Sequence, residues 1–151
     1  LGFEAQVQSD TAPLNGITEA LLAKFGDKVH VLRDPTRGGL ATTLNEIAAQ
    51  SRVGIEIEED EIPLHPAVVS ACEFLGLDPL YIANEGKLIV IVDAEVADDA
   101  LALIRTLKYG ENAAIIGRVT VKEPGIVSMT TSIGGSRLVD WLTSDPRPRI
   151  C

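Results

Sequence analysis

Apolar residues near the N-terminus recur first at helical and then at extended spacing, which predicts a helix, a strand and a second helix. The first helix is predicted over about Asn15–Phe25, and Gly26 supplies its C-terminal stop. A short strand follows at residues 29–32. The second helix starts beyond a glycine loop, and its predicted apolar face comprises Leu40, Leu44, Ile47 and Ala48. This part of the chain is therefore predicted to run strand, glycine loop, helix.

The middle of the chain alternates apolar and acidic residues before it returns to helical spacing. Isoleucine and glutamate alternate over residues 55–58, which predicts a half-exposed strand, and the four acids at 58–61 are interpreted as a solvated loop. Pro66 suits the first turn of a third helix, which Gly76 closes. The apolar residues predicted for that helix are Val68, Val69, Cys72 and Phe74.

The second half of the chain contains its most apolar segment. The continuous run at residues 88–92 is typical of a central strand that is covered on both faces. Residues 123–125, Glu-Pro-Gly, are a turn signal between two later strands. The later predicted elements are a helix over about Ala94–Leu107, strands at 113–121 and 126–131, and a last strand or turn at 133–141.

The mixed order of these elements predicts an α+β fold, with helices packed on one face of a mixed β-sheet. The folded domain is predicted over residues 15–143. Residues 1–14 are interpreted as a lead-in arm, and residues 144–151 as an extended tail, because two prolines stand within three residues there. Since the chain lacks an initiator Met, we expect it to be a fragment.

Composition and charge exclude several classes of protein. The 151 residues carry a net charge of −9 and are 46% hydrophobic, which argues against intrinsic disorder and against a nucleic-acid partner. The apolar runs are too short to span a membrane, so no membrane association is expected. No signal peptide is recognisable, and two cysteines are too few for a disulfide framework. The simplest expectation is a cytoplasmic protein.

The glycine loop at residues 34–39, Asp-Pro-Thr-Arg-Gly-Gly, is the first candidate for chemistry. Gly38 and Gly39 allow a ligand to approach the backbone where a helix begins, and free amides and the helix dipole favour an anion there. Arg37 can add a bidentate charge. The loop is neither a dinucleotide-binding nor a Walker motif, so a phosphate or carboxylate site and an ordinary strand-to-helix turn both remain open.

A second candidate is Asn84-Glu85-Gly86, which directly precedes the most apolar run. Glu85 places a carboxylate at the mouth of a predicted core strand, where it can serve as a base or ligand anchor. The alternative is a turn with an exposed glutamate. His30 and His65 are isolated from other metal-ligating residues, so no metal site is predicted and both are interpreted as structural.

The two cysteines call for different interpretations. Cys72 lies among apolar residues at helical spacing and is predicted to be a small buried hydrophobe. Cys151 ends a proline-stiffened tail, so its thiol can be modified at one site and presented at another. Arg147 and Arg149 partly offset the opposing charge of its own carboxylate. A tail in which the terminal cysteine is incidental remains the alternative.

Four segments together resemble the hydrogenase maturation family HypE. They are Asp-Pro-Thr-Arg-Gly-Gly-Leu-Ala at 34–41, Ala-Asn-Glu-Gly-Lys-Leu at 83–88, Gly-Arg-Val at 117–119 and Pro-Arg-Ile-Cys at 148–151. The resemblance covers essentially the whole chain. It implies the C-terminal α+β domain of the aminoimidazole ribonucleotide synthetase superfamily, whose members carry an ATP-binding domain before it. The glycine loop is shared across that superfamily, whereas the terminal cysteine separates HypE from its relatives.

The resemblance implies a specific chemistry for Cys151. Its thiol is expected to receive a carbamoyl group, which ATP-driven dehydration converts to a thiocyanate that donates the cyanide ligand of [NiFe]-hydrogenase iron. The same resemblance gives Glu85 a base or orienting role. The residues implied to line the nucleotide-facing cleft are Asp34, Thr36, Arg37, Gly38, Gly39 and Asn84.

The resemblance also implies partners and limits. A HypF-type carbamoyltransferase is expected to load the thiol, and a HypC–HypD complex to receive the cyanide. ATP, Mg²⁺ and homodimerisation are expected of the full-length protein through the missing domain, so this chain alone is expected to bind no cofactor tightly and to be inactive. The alternatives are an interaction or regulatory domain whose tail is a docking peptide, and another enzyme of the superfamily.

Overall fold

A computed structural model describes residues 15–33, 39–64, 66–78, 80 and 88–140. The chain divides into two compact units, the first made of residues 1–35 and 84–115 and the second of residues 36–83 and 116–151. In chain order the described helices and strands are α1 (Asn15–Phe25), β1 (Val29–Arg33), α2 (Gly39–Ser51), β2 (Gly54–Glu58), α3 (Pro66–Leu75), β3 (Ile89–Val92), α4 (Ala97–Arg105), β4 (Gly117–Thr120), β5 (Val127–Thr130) and β6 (Ser136–Leu138).

The first unit packs α1 and α4 against a two-stranded antiparallel ribbon of β1 and β3. The strands are in register from Val31 opposite Ile91 to Arg33 opposite Ile89. Apolar side chains from both helices and the ribbon form a single core. Each helix therefore contributes only the apolar residues on its inward face. The buried members of that core are Ile17, Leu21, Leu32 and Ala100.

The second unit is built on a four-stranded mixed sheet in the order β4-β2-β5-β6. Strands β2 and β5 are parallel, and the other two pairs are antiparallel. Helix α2 packs on the two central strands, β2 and β5. Because side chains alternate along a strand, the isoleucines of β2 and the apolar residues of β5 share the buried face. That face comprises Ile55, Ile57, Val127 and Met129.

The contact between β2 and β4 depends on a glycine. A Cβ atom added to Gly117 would lie 2.1 Å from the carbonyl oxygen of Glu56 and 2.8 Å from the Cα of Ile57. Only glycine therefore allows the two backbones to pair at this separation.

The structure confirms the predicted fold class and most of its elements. Helix α1 has the predicted bounds, and Gly26 ends it with a φ of +55°. The alternation over residues 55–58 forms β2 as predicted, with both isoleucines buried. Helix α3 spans Pro66–Leu75, followed by Gly76 with a φ of +71°, and Cys72 is its buried residue.

Several predictions were wrong in detail. The run at 88–92 is not a central strand, since β3 pairs only with β1 among the described residues and only Ile89 is fully buried. An apolar run on its own specifies neither how many strands lie beside it nor how many of its side chains are buried. The predicted strand at 113–121 is shortened to β4, because it pairs with β2 only over Gly117–Thr120. Before it, the Ala113 carbonyl accepts a hydrogen bond from Arg105 Nε at the end of α4.

The turn at 123–125 joins β4 and β5 as predicted, and β2 lies between these two strands in the sheet. The apolar face predicted for α3 differs from the structure. Phe74, predicted as part of an apolar helix face, is 90% exposed. The acidic run at 58–61 is largely exposed as predicted, although Glu59 has a defined partner.

Candidate functional site

The two candidate motifs flank the ribbon of the first unit in sequence. Arg33, the last residue of β1, pairs with Ile89, the first residue of β3. Asp34 follows Arg33 in the chain, and Gly86 precedes Ile89 by three positions. The pairing thus joins the strand that precedes the glycine loop to the strand that follows Asn84-Glu85-Gly86.

Most of the predicted site residues lie outside the described residues. These are Asp34, Thr36, Arg37, Gly38, Asn84, Glu85 and Cys151. Their assigned roles therefore remain predictions. Gly39 is the member of the predicted set whose backbone conformation is described.

Gly39 forms the N-terminus of α2 in a conformation that requires glycine. Its φ is +69°, in the left-handed region that L side chains rarely adopt, and it is buried. The hydroxyl of Thr43 donates to the Gly39 carbonyl over 3.2 Å, one turn further along the helix. The chain thus turns abruptly into the helix at the predicted glycine.

The first turn of α2 suits an anion. The first four N–H groups of an α-helix have no carbonyl partner within the helix, and the helix dipole adds a partial positive charge. No acidic residue stands in this turn. Thr42 Oγ1, in the same turn, is buried and makes no hydrogen bond within the described part of the chain. Backbone amides and a hydroxyl donor are the groups that hold phosphate at such a terminus, so the residues present fit a nucleotide phosphate.

The same helix is bonded to the segment that leads to Cys151. The Nδ2 of Asn45 donates to the Ala41 carbonyl over 2.9 Å and to the Val139 carbonyl over 2.8 Å. The Val139 N–H donates to the Val127 carbonyl, again over 2.8 Å. Sequence reasoning missed Asn45, because a polar residue among apolar helical positions carries no signal about a partner 94 residues away.

The histidine that the structure describes is hydrogen-bonded at the other end of the ribbon. His30 Nε2 pairs with Asp93 Oδ1, and both side chains are partly exposed. Nearby, Lys28 Nζ lies 2.6 Å from Glu95 Oε1. This hydrogen bond from Lys28 to Glu95 raises the pKa of the lysine. The described residues contain no group of three or more metal-ligating side chains, and His65 lies outside them.

Glu59, from the acidic run, is fixed by the loop between β5 and β6. One carboxylate oxygen accepts the Ser132 N–H over 2.8 Å and the Ser132 hydroxyl over 2.9 Å. These two hydrogen bonds lower the pKa of Glu59. Arg137 Nη2 donates to Asp78 Oδ2 over 2.8 Å and ties β6 to the segment after α3. This cluster stabilises the unit and contains no predicted site residue.

The described cysteine lies in the interior of the second unit. Cys72 is a free thiol and only 6% exposed, as predicted for a small buried hydrophobe. No helix within the described ranges is long and apolar enough to cross a membrane.

Sequence comparison gives a family match and curated relatives. Residues 4–129 match the family described as AIR synthase related protein, C-terminal domain. A carbamoyl dehydratase HypE of Azotobacter vinelandii is 54% identical over all 151 residues, which cover 44% of that protein. Its counterpart in Rhizobium leguminosarum bv. viciae is 52% identical, with 43% of its length covered. The chain therefore spans less than half the length of these relatives.

Structural comparison finds similar domains in solved proteins. The chain superposes on a crystal structure of hydrogenase maturation protein HypE with a TM-score of 0.84 at 52% identity, covering 100% of this chain and 49% of that one. For HypE in complex with ATP, the TM-score is 0.83 at 50% identity, with coverage of 97% and 45%. For a HypE–HypF complex, the TM-score is 0.81 at 47% identity, with coverage of 88% and 43%.

Proposed function

This chain belongs to the family of AIR synthase related proteins, of which it is a C-terminal domain, and from that premise we propose that it is the thiol-carrying half of a carbamoyl dehydratase that matures [NiFe]-hydrogenase. Relatives at 52–54% identity are named carbamoyl dehydratase HypE. In this proposal the tail brings Cys151 to two places in turn. One is the carbamoyltransferase that loads it, and the other is an ATP site formed with the rest of the full-length protein.

The proposed reaction converts a carbamoyl group on the Cys151 sulfur into a thiocyanate. ATP supplies a phosphoryl group to the carboxamide oxygen, because that oxygen leaves readily only as phosphate. Glu85 accepts a proton from the carboxamide nitrogen, and both N–H hydrogens are lost as protons while the carbon–nitrogen triple bond forms. The carbon–oxygen bond breaks, and phosphate and ADP are released. The sheltered site that this chemistry needs must admit and release the tail.

The N-terminus of α2 is the structural observation that carries the proposal. Gly39 opens this helix with a φ of +69°. The N-terminus of α2 supports phosphate binding through Gly39 and the neighbouring amides. In this proposal the remaining loop residues, from Asp34 to Gly38, and Asn84 complete the nucleotide-facing cleft.

The proposed partners follow from the relatives. A HypE relative forms a complex with HypF and another binds ATP, so we propose that a HypF-type protein loads Cys151 and that ATP serves as the phosphoryl donor. Mg²⁺, homodimerisation and transfer of cyanide to iron on a HypC–HypD complex are parts of the same proposal. The reaction is proposed to take place in the cytoplasm.

Mass spectrometry of the full-length protein tests this function. After incubation with HypF and carbamoyl phosphate, we expect a carbamoyl-sized gain on the peptide ending in Cys151, which ATP converts to a cyano-sized gain. Cys151→Ser should abolish both adducts, whereas Cys72→Ser removes the buried thiol and should leave them intact. Glu85→Gln should preserve loading and slow the conversion. An unmodified Cys151 beside an active HypF would contradict the proposal and favour a docking tail.

A further inference from the structure

We infer that an exposed apolar face of α3 is the surface on which a HypF-type carbamoyltransferase docks. The inference rests on the proposed function, in which such a protein loads Cys151, and it assigns that encounter to a surface of the folded chain. Its observation is a row of exposed apolar side chains along one side of α3, called the α3 stripe below. The stripe comprises Val68, Ala71, Phe74 and Leu75.

The α3 stripe has the spacing of one face of a helix. Its members follow one another at intervals of three and four residues, which places them on the same side of α3. Cys72 projects from a different side and is the buried residue of this helix. Helix α3 therefore carries two apolar faces and buries only the one that contains Cys72.

The exposed end of the stripe is held in an ordered helical turn. The Phe74 side chain is 90% exposed and that of Leu75 is 58% exposed. The N–H of Leu77 donates to the Cys72 carbonyl over 2.8 Å, which closes the last turn of α3 around Gly76. Neighbouring exposed apolar side chains mark interaction sites, and a fixed aromatic residue is typical of those that dominate a binding energy.

The charge around the stripe favours a partner with a basic surface. Glu59 accepts two hydrogen bonds from Ser132, in the loop between β5 and β6. Asp78 accepts one from Arg137 in β6, so the acidic run at 58–61 and the end of α3 are bonded to the same hairpin. Residues 53–78 contain no Lys or Arg and seven acids, which are Glu56, Glu58, Glu59, Asp60, Glu61, Glu73 and Asp78.

The same charge argues against other occupants of this face. Nucleic acids and anionic membranes are bound through clustered Lys and Arg, so an acidic surface repels them. A second copy of the chain would bring acidic residues against acidic residues. A protein whose apolar contact is surrounded by basic residues matches both the stripe and its surroundings. The proposed function supplies a protein partner, since a HypE relative forms a complex with HypF.

Binding kinetics of the full-length protein with HypF test the apolar part of this surface. Phe74→Ala should raise the Kd for HypF about tenfold or more, mainly through faster dissociation, because it removes an aromatic side chain from the contact. Its melting temperature should stay unchanged, since Phe74 is exposed without a partner. Val121→Ala, at another exposed apolar residue outside α3, is the control and should leave the Kd unchanged.

A charge reversal tests the acidic surroundings. Glu73 is an exposed residue of α3. Glu73→Lys should slow association with HypF about threefold or more and leave dissociation nearly unchanged, because charges at the rim of an interface act mainly on the association rate. Glu111→Lys makes the same change in net charge at an exposed glutamate outside α3 and should leave association nearly unchanged.

The rate at which Cys151 is loaded connects docking to the proposed reaction. At HypF concentrations below the Kd, Phe74→Ala should load Cys151 about tenfold more slowly, and at saturating HypF it should load at the unaltered rate. Dehydration of preloaded Cys151 by ATP should keep its single-turnover rate, since HypF takes no part in that step. An effect on loading at saturation would contradict a role in docking.

Thiol labelling tests whether the rest of the full-length protein already covers the stripe. Ser70 is exposed and lies one turn before Phe74, so Ser70→Cys places a thiol beside the stripe without removing any of its members. We expect maleimide to label this thiol rapidly in the full-length protein alone and slowly with saturating HypF, measured on its peptide by mass spectrometry. Protection before HypF is added would overturn the inference, because the face would then be an internal contact.

The outcomes separate this inference from the proposed function. An unchanged Kd in Phe74→Ala, or an equal loss of affinity in Val121→Ala, would overturn the inference and leave the function standing. A Cys151 that is never carbamoylated, although HypF binds and Phe74→Ala weakens that binding, would overturn the function and leave the docking surface in place.

Discussion

At the scale of single residues, Gly39 is the position where the backbone is most closely tied to the proposed chemistry. Its φ of +69° opens α2 in the left-handed region, which costs an L residue about 1–2 kcal/mol. We therefore expect Gly39→Ala to lower the free energy of unfolding by about that amount, measured by urea denaturation. ATP binding by the full-length protein should weaken as well, because the first-turn amides would shift.

A glycine of α1 provides the matched control. Gly16 is the second residue of α1, and no atom lies within 4 Å of the position of an added Cβ. Gly16→Ala should raise the free energy of unfolding by about 0.5–1 kcal/mol, since alanine favours helices more than glycine does. If both substitutions destabilised the chain equally, the argument from backbone conformation would fail.

Glu59 links the stability of the second unit to pH. The two Ser132 hydrogen bonds lower its pKa from 4.5. The contribution of Glu59 to the free energy of unfolding is therefore fully present above pH 4.5 and is lost as the pH falls through the lowered pKa. Ser132→Ala removes one of the two donors and should raise the pKa of Glu59 toward 4.5. The variant should thus be less stable than the unaltered chain near pH 6 and closer to it near pH 3.

Urea midpoints between about pH 3 and about pH 6 measure this difference. Ser136→Ala, at an exposed serine of β6, is the control and should give a constant offset across the range. A deficit in Ser132→Ala that does not change with pH would show that the hydroxyl acts on something other than the ionised carboxylate.

At the scale of elements, the attachment of β4 to β2 requires close backbone approach at Gly117. A methyl group there would meet the Glu56 carbonyl oxygen at 2.1 Å, so one strand must move. We expect Gly117→Ala to cost roughly 1–3 kcal/mol and to speed amide exchange along β4. Gly135→Ala, whose nearest neighbouring atom is Thr131 Oγ1 at 3.4 Å, should change stability by less than about 0.5 kcal/mol.

Local sequence patterns predicted where helices and strands lie better than they predicted which other elements pack against them. The helix over Asn15–Phe25 and the alternating strand β2 follow from spacing and from Gly26, which are properties of adjacent residues. Phe74 was misjudged because an apolar residue at helical spacing does not say whether another element covers it. The pairing of β3 was misjudged for the same reason.

At the scale of the whole molecule, candidate motifs can be chosen from the sequence, whereas contacts between distant segments cannot. The glycine loop, Glu85 and Cys151 could be chosen from residue chemistry and from a resemblance to HypE that the comparisons confirm. The pairing of Arg33 with Ile89 and the bond from Asn45 to Val139 join residues 56 and 94 positions apart. Such contacts are made by folding and leave no local pattern in the sequence.

The last prediction concerns what this chain can do without the rest of the protein. It spans 43–44% of its curated relatives, and the proposed function assigns dehydration to the full-length protein. Loading needs only an accessible tail, whereas dehydration needs a phosphoryl donor held beside the carboxamide. We therefore expect HypF to carbamoylate Cys151 of the isolated chain, while added ATP yields no thiocyanate and no phosphate. Mass spectrometry and a phosphate assay measure the two products, with the full-length protein as the positive control. Phosphate release that depends on Cys151 in the isolated chain would show that these 151 residues hold the nucleotide site by themselves.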